Sequence, residues 1–180
     1  EKRDKNWIIN NDLAFDMVIN TSPLDKLVFL IKETPEKILD EAKKLKYNKV
    51  TTMLFKSKPI KHTWTYYPSE EIFFHRCIHI GNFFKPNENY TIAEAIGEYS
   101  YEVMLEESKK IDYLLEPLDY HVSEHAYVVF DSNYRSSTTI IKEYLNEIGL
   151  YSVGRFGEWE YYNMDVCMEK AFELIKKLQL

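Results

Sequence analysis

Residues 153 to 165, Val-Gly-Arg-Phe-Gly-Glu-Trp-Glu-Tyr-Tyr-Asn-Met-Asp, leave this chain few ways to fold locally. A short apolar stretch, Gly149 to Val153, precedes them, and an amphipathic segment, Val166 to Leu178, follows. The pattern predicts a strand, a glycine-hinged turn and a helix start. Gly154 and Gly157 allow close backbone approach or a positive φ. Met164 and Asp165 then fall near the first helical turn, whose free N–H groups suit an anion or the polar edge of a ligand. Asp165 also suits the helix cap. Arg155 and the aromatic residues Trp159, Tyr161 and Tyr162 add charge and flat surface at the same place. This is the composition of a ligand site.

Elsewhere the chain alternates between strand and helix signals. Trp7 to Asn10 and Phe15 to Asn20 read as short strands around an Asn11-Asp12 turn, while Glu1 to Asn6 is charged and polar and gives no strand signal. Thr21-Ser-Pro stops the second strand. Leu24 to Ile31 and Pro35 to Leu45 read as helices, the latter with Thr34 as cap and Pro35 in the first position. Lys49 to Lys56, His62 to Tyr67, Ile72 to Ile80 and Tyr90 to Tyr101 read as strands, with turns at Gly81-Asn82 and Pro86-Asn87. Leu105 to Leu118 predicts a helix, Glu124 to Phe130 a strand, and Ser136 to Ile148 a helix ending at Gly149. The expected class is α+β, a mostly antiparallel mixed sheet with helices, whose two ends are shaped to join a larger α/β domain.

Composition narrows the function. The 180 residues carry a net charge of −6 with scattered lysines, which argues against nucleic acid as the main partner. Apolar runs are too short to span a bilayer, and no signal-peptide pattern opens the chain, so a cytoplasmic location is expected. Cys77 and Cys167 read as two reduced thiols. His75 with His79, and His121 with His125, are spaced four apart but give too few ligands for a metal site, and none is expected. No G-x-S-x-G elbow and no paired carboxylates suggest hydrolytic chemistry. Arg76 stands out because it lies in an apolar strand, where a charge must be paired or used. The sequence leaves the oligomeric state open.

The glycine-hinged segment closely resembles the Gly-Arg-x-Gly-x-aromatic-x-Tyr-x-x-Met-Asp signature of UDP-galactopyranose mutases, relatives of the protoporphyrinogen oxidases and amine oxidases. Asp16-Met-Val-Ile-Asn-Thr-Ser-Pro-Leu24 is similar to a strand of that family. Tyr66 to Arg76 and Tyr127-Val-Val-Phe-Asp131 match two further stretches in the same order. The family's dinucleotide-binding G-x-G-x-x-G turn has no counterpart among the five glycines, so the chain is expected to be the C-terminal portion of a longer enzyme.

The resemblance implies FAD as cofactor, held in the full-length protein and not by this chain alone, with an N-terminal FAD-binding region of the same protein and a UDP-sugar as partners. It implies pieces of the FAD domain at 1–23 and 150–180 and a substrate-binding domain over 24–149. It places Arg76 beside flavin and sugar as the catalytic residue, Tyr127 and Tyr161 at the substrate pyrophosphate, and Gly154, Arg155, Asn163, Met164 and Asp165 around the flavin. The implied activity is interconversion of UDP-galactopyranose and UDP-galactofuranose in bacterial surface-polysaccharide (lipopolysaccharide) synthesis. Asn163 stands where the mutases usually carry an acid, Val128 replaces a proline, and Glu158 and Glu160 make the turn acidic. These departures keep two alternatives open: an oxidoreductase of the amine oxidase or protoporphyrinogen oxidase kind, and a non-catalytic sugar-nucleotide-binding or assembly module.

Overall fold

The computed structural model describes residues 1–84 and 89–179. In chain order the elements are β1 (Lys2–Arg3), β2 (Asn6–Ile9), β3 (Leu13–Phe15), β4 (Val18–Asn20), α1 (Leu24–Leu30), α2 (Glu36–Lys44) and β5 (Lys46–Ser57). Then come β6 (Trp64–Tyr66), β7 (Arg76–Ile78), α3 (Gly81–Phe84), β8 (Tyr90–Ile96), α4 (Tyr101–Ser108), β9 (Leu114–Val129), α5 (Tyr134–Glu147), β10 (Leu150–Ser152) and α6 (Met164–Leu178). The class is α+β with mainly antiparallel pairing. No helix among the described residues is long and apolar enough to cross a membrane.

The chain forms two compact units, one of residues 1–47 with 127–180 and one of residues 48–126. The first unit brings together residues from both ends of the chain. Leu24, Val28, Ile38, Ala42, Ile141, Leu145 and Leu150 bury together, so α1, α2 and α5 share one core with β10. On α5 the buried positions Tyr134, Ser137, Thr138, Ile141 and Leu145 recur at helical spacing and make one stripe. In α2 Glu36 opens the helix and Lys43 and Lys44 close it, matching the helix dipole.

Two sheets belong to this unit. One is the meander β1-β2-β3, and the other is the parallel pair β4 and β10, in register Leu150↔Val18 to Ser152↔Asn20. The β2–β3 turn follows from Asn10 and Asn11, both left-handed at φ 52° and 71°, a conformation asparagine tolerates. Strand β1 forms despite its polar sequence because it pairs with β2 rather than burying its own side chains. Thr34 does not cap α2. Its hydroxyl instead donates to the carbonyls of Val28 (2.8 Å) and Ile31 (3.0 Å), closing α1, and Pro35 occupies the cap of α2.

The second unit is built on the sheet β6-β7-β8-β5-β9. Its core contains Met53, Phe55, Phe74, Cys77, Ala93, Met104 and Leu114. Three sequence expectations change here. The apolar run 72–80 yields only the short strand β7, because Ile72 to His75 approach it as irregular chain. The strand expected through Tyr101 stops at Ile96, since Gly97 turns at φ 118° and Ser100 caps α4 through the Val103 N–H. The helix expected to Leu118 ends at Ser108, and residues from Leu114 join β9, whose alternation of buried and exposed positions is weak enough to hide it. Gly81-Asn82 opens the helical turn α3; Pro86-Asn87 lies outside the described residues.

His79 is buried, and both ring nitrogens are engaged at 2.9 Å, one by the Thr65 hydroxyl and one by Thr91. Burial lowers its pKa, as it does that of His75. The folded state therefore binds fewer protons than the unfolded chain, so this stabilisation is complete above the ordinary histidine value of 6.5 and is lost as pH falls below it. Urea midpoints are expected to drop between pH 7.5 and 5, and His79→Gln is expected to flatten that slope. An unchanged slope in the variant would remove His79 from the account.

Candidate active site

The turn after β10 is tied to the other end of the chain by its backbone. Val153 N–H donates to the Asn20 carbonyl (2.9 Å) and Leu24 N–H donates to the Phe156 carbonyl (3.0 Å). Asn20 Nδ2 donates to Ser152 Oγ (2.7 Å), and Ser152 Oγ donates to the Gly157 carbonyl (2.6 Å). The two stretches that resemble one family at opposite ends of the sequence, 16–24 and 153–165, are thus brought together. Gly154 adopts φ 90°, and Trp159 adopts φ 58° with its side chain fully buried. Trp159 was expected to add flat surface to a site; it is instead a core residue, edge-on to Tyr47 and Phe156 at 6.1 Å each.

Arg155, four residues before the buried Trp159, lies among aromatic rings. Its guanidinium carbon lies 4.5 Å from the Tyr161 ring centre, 5.2 Å from Tyr127 and 5.6 Å from Phe156. Tyr127 and Tyr161 are stacked, with centroids 5.7 Å apart and planes at 25°. Arg155 Nη1 also reaches the Tyr162 carbonyl at 3.5 Å. Cation–π contact of this kind favours arginine over lysine, because the flat guanidinium can lie against a ring. Arg155, Tyr127 and Tyr161 therefore form one assembly.

Beside it lies an open hollow of about 740 Å³ lined by Arg155, Tyr162, Asn163, Met164, Asp165, Cys167 and Met168. The start of α6 forms one wall. Asn163, not Asp165, holds the cap position, and its side chain makes no capping bond. Asp165 is a first-turn residue instead. Met164 is 85% exposed, an unusual position for a large apolar side chain. A flat ring meeting this hollow would find apolar side chains, an uncapped helix start and one cation. Those features fit the edge of a planar, polar-rimmed cofactor.

Glu158 does not line this hollow. It accepts the Gly154 N–H at 3.1 Å, and burial raises its carboxyl pKa. It borders a smaller hollow, about 270 Å³, with Lys142, Lys170 and Lys177.

Arg76 belongs to the second unit. It is paired: Glu94 accepts from both its Nε and Nη2, and the register sets these residues opposite each other on β7 and β8. Trp64 and Tyr66 flank the guanidinium carbon at 5.3 and 6.0 Å. The sequence offered Arg76 but no means of choosing Glu94 among 29 acidic residues. Phe156, Cys167 and Met168 were likewise not singled out, since apolar residues of this kind are ordinary core candidates. The cysteines Cys77 and Cys167 are both free, and burial pushes the Cys77 thiol up to about 11, which makes it unreactive.

No protein-family model matches the chain, and no curated protein sequence does. Solved structures do share its fold. A reduced UDP-galactopyranose mutase aligns with a TM-score of 0.68 at 22% identity, over 87% of this chain and 39% of the mutase. A protein from Exiguobacterium sp. 255-15 described as a protoporphyrinogen oxidase gives 0.66 at 17% identity, over 99% of this chain and 45% of its own. A CLA-producing fatty acid isomerase from P. acnes gives 0.69 at 10% identity, over 93% and 43%. The chain thus spans about two fifths of the length of these structures. At such identities the likeness is one of fold.

Proposed function

We propose that this chain is the flavin-covering and sugar-facing part of an FAD-dependent, UDP-galactopyranose mutase-like enzyme. The observation that carries the reading is the Arg155–Tyr127–Tyr161 assembly beside the uncapped start of α6. It joins residues from separate matched stretches, and their side chains suit a flat ring and an anion. Flavin, when bound, would supply the electron pair that the anomeric carbon takes up and returns.

The chain's own residues bind and orient. Gly154 and Arg155, with Asn163, Met164 and Asp165, would hold the cofactor's edge through backbone N–H groups and one fixed charge. Tyr127 and Tyr161 would donate phenolic hydrogen bonds to the substrate diphosphate without adding a buried charge. Arg76, steadied by Glu94, would face the sugar. In this reading 1–23 and 150–180 serve the cofactor side and the interval 24–149 contains the substrate side, in a cytoplasmic enzyme of surface-polysaccharide synthesis. Its partners are UDP-sugar and an FAD-binding region of the same protein.

A longer protein that includes a dinucleotide-binding region should purify yellow and convert UDP-galactofuranose under reducing conditions. This chain by itself should be colourless. In the longer protein Arg155→Ala is expected to weaken flavin retention about tenfold or more, with Arg155→Lys only partly restoring it. Unaltered retention in both variants would overturn the assignment of Arg155. Asn163 favours a second reading, an oxidoreductase of the amine oxidase or protoporphyrinogen oxidase kind, because the acid of the mutases is absent there. Bleaching of the flavin by an amine or a porphyrinogen, without mutase turnover, would select it.

A further inference from the structure

Asn20 ends β4 as a buried polar residue, 6% exposed, that no candidate role has yet absorbed. Its Oδ1 accepts the Ser22 N–H (3.0 Å) and the Ser22 hydroxyl (2.5 Å). Its Nδ2 donates to the Ser22 carbonyl (2.9 Å) and to Ser152 Oγ (2.7 Å). A side-chain amide has two donors and room for two acceptances, so all of its capacity is in use. A buried group satisfied this fully holds its neighbours in one arrangement.

Ser152 gives that arrangement a direction. A hydroxyl has a single proton to donate. With the Asn20 amide donating to its oxygen, Ser152 sends that proton to the Gly157 carbonyl at 2.6 Å. An acceptor in place of Nδ2 would draw the Ser152 proton to itself, and Gly157 would lose its donor. Ser22 fixes which way the amide points, because its main-chain N–H can only donate. The Asn20 main chain adds a second tie by accepting the Val153 N–H (2.9 Å). A third runs through the Ser22 loop to Leu24, whose N–H donates to the Phe156 carbonyl (3.0 Å). Val153, Phe156 and Gly157 bracket Arg155, and all three are held from Asn20 or from the loop it shapes.

We infer that Asn20 is a positioning residue for Arg155, acting through the relay Asn20–Ser152–Gly157. Its amide sets the direction of the Ser152 hydroxyl, and the relay keeps the turn in the shape that lays the guanidinium against Tyr161. Asn20 itself does not line the hollow beside Arg155. The inference rests on the proposed function only for its consequence, that a misplaced Arg155 loosens the cofactor.

Two variants separate polarity from packing. Asn20→Asp keeps nearly the same shape but, when ionised, has no proton to donate. Ser152→Ala removes only the relay hydroxyl. In the flavin-free chain the readout is the NMR shift of the Arg155 δ protons, which the ring beneath the guanidinium displaces upfield. Both variants are expected to lose most of that displacement. The Glu160 N–H, which donates to the Arg155 carbonyl (2.7 Å), should exchange about fivefold faster in Ser152→Ala, the equivalent of one hydrogen bond. Exchange at Ile141 and Leu145, buried in α5, should stay as it was. Ser152→Thr keeps the hydroxyl and should restore both readouts. In a longer, flavin-loaded protein, Ser152→Ala is expected to weaken flavin retention about fivefold. The inference is overturned if the Arg155 shift persists in either Asn20→Asp or Ser152→Ala, if Ser152→Thr behaves as alanine does, or if Ile141 and Leu145 accelerate equally. A longer protein that holds no flavin would defeat the proposed function and leave the Arg155 shifts untouched, so the two failures are distinguishable.

Discussion

Gly157→Ala is expected to destabilise the first unit by about 3 kcal/mol, the upper end of what overfilling a tightly packed interior costs. A Cβ built at Gly157 would lie 2.4 Å from the Val153 carbonyl oxygen and 3.1 Å from that of Asn20. Ordinary carbon–oxygen contacts rarely close below about 3.3 Å. Both neighbours are backbone and cannot swing aside as the end of a side chain can. Asn20 O accepts the Val153 N–H and the Gly157 carbonyl accepts from Ser152 Oγ, so shifting the turn strains its link to β4. Gly154 provides the contrast. It has φ 90° but nothing within 4 Å of its missing Cβ, so Gly154→Ala should cost only the left-handed strain, about 1–2 kcal/mol.

The measurement is a urea titration followed by tryptophan emission near its buried maximum, which Trp7 and Trp159 dominate. Both lie in the first unit, so the probe follows the part of the chain that the substitution strains. A larger midpoint loss in Gly154→Ala than in Gly157→Ala would show that torsion, and not close approach, fixes the second glycine.

The contrast between the two glycines also shows what could be read from sequence. That 149–178 forms a strand, a turn and a helix was legible, because the apolar run, the glycines and the 3.6-residue pattern all agree; the structure gives β10, the turn and α6 there. Which glycine needs torsion and which needs space was not legible, since the answer depends on how the turn folds back on the Val153 carbonyl and against Asn20, more than 130 residues away. The same limit applies to Arg76. Its cost in an apolar strand was evident, whereas its partner Glu94 is set by the register of β7 on β8. Thr34 misled for a related reason. A threonine before a proline reads as a cap, but the carbonyls it serves belong to the preceding helix. Local periodicity was reliable where an element makes its own contacts and unreliable where another strand or helix decides.

Trp159→Ala is expected to have an effect at least as large, about 3–5 kcal/mol, the usual cost of emptying a buried indole site. The ring is fully buried, and its removal leaves Tyr47 and Phe156 without the edge-on partner they pack against. Alanine recovers none of the left-handed strain at φ 58°, so no relief offsets the cavity. Trp159→Phe keeps part of the ring packing and should fall between the wild type and alanine. The consequence for the site follows from position. Arg155 and Trp159 flank the same turn, whose shape is held by the Glu158 N–H to Gly154 O bond (2.8 Å) and the Glu160 N–H to Arg155 O bond (2.7 Å). With the indole gone, the turn loses the anchor that aims Arg155 at Tyr127 and Tyr161. Amide hydrogen exchange at Glu158 and Glu160 should then accelerate more than exchange at Ile141 and Leu145, which are buried in α5 of the same core. Equal acceleration at all four amides would mean that the unit loosens as a whole, and that Trp159 stabilises the fold without specifically setting the pose of Arg155.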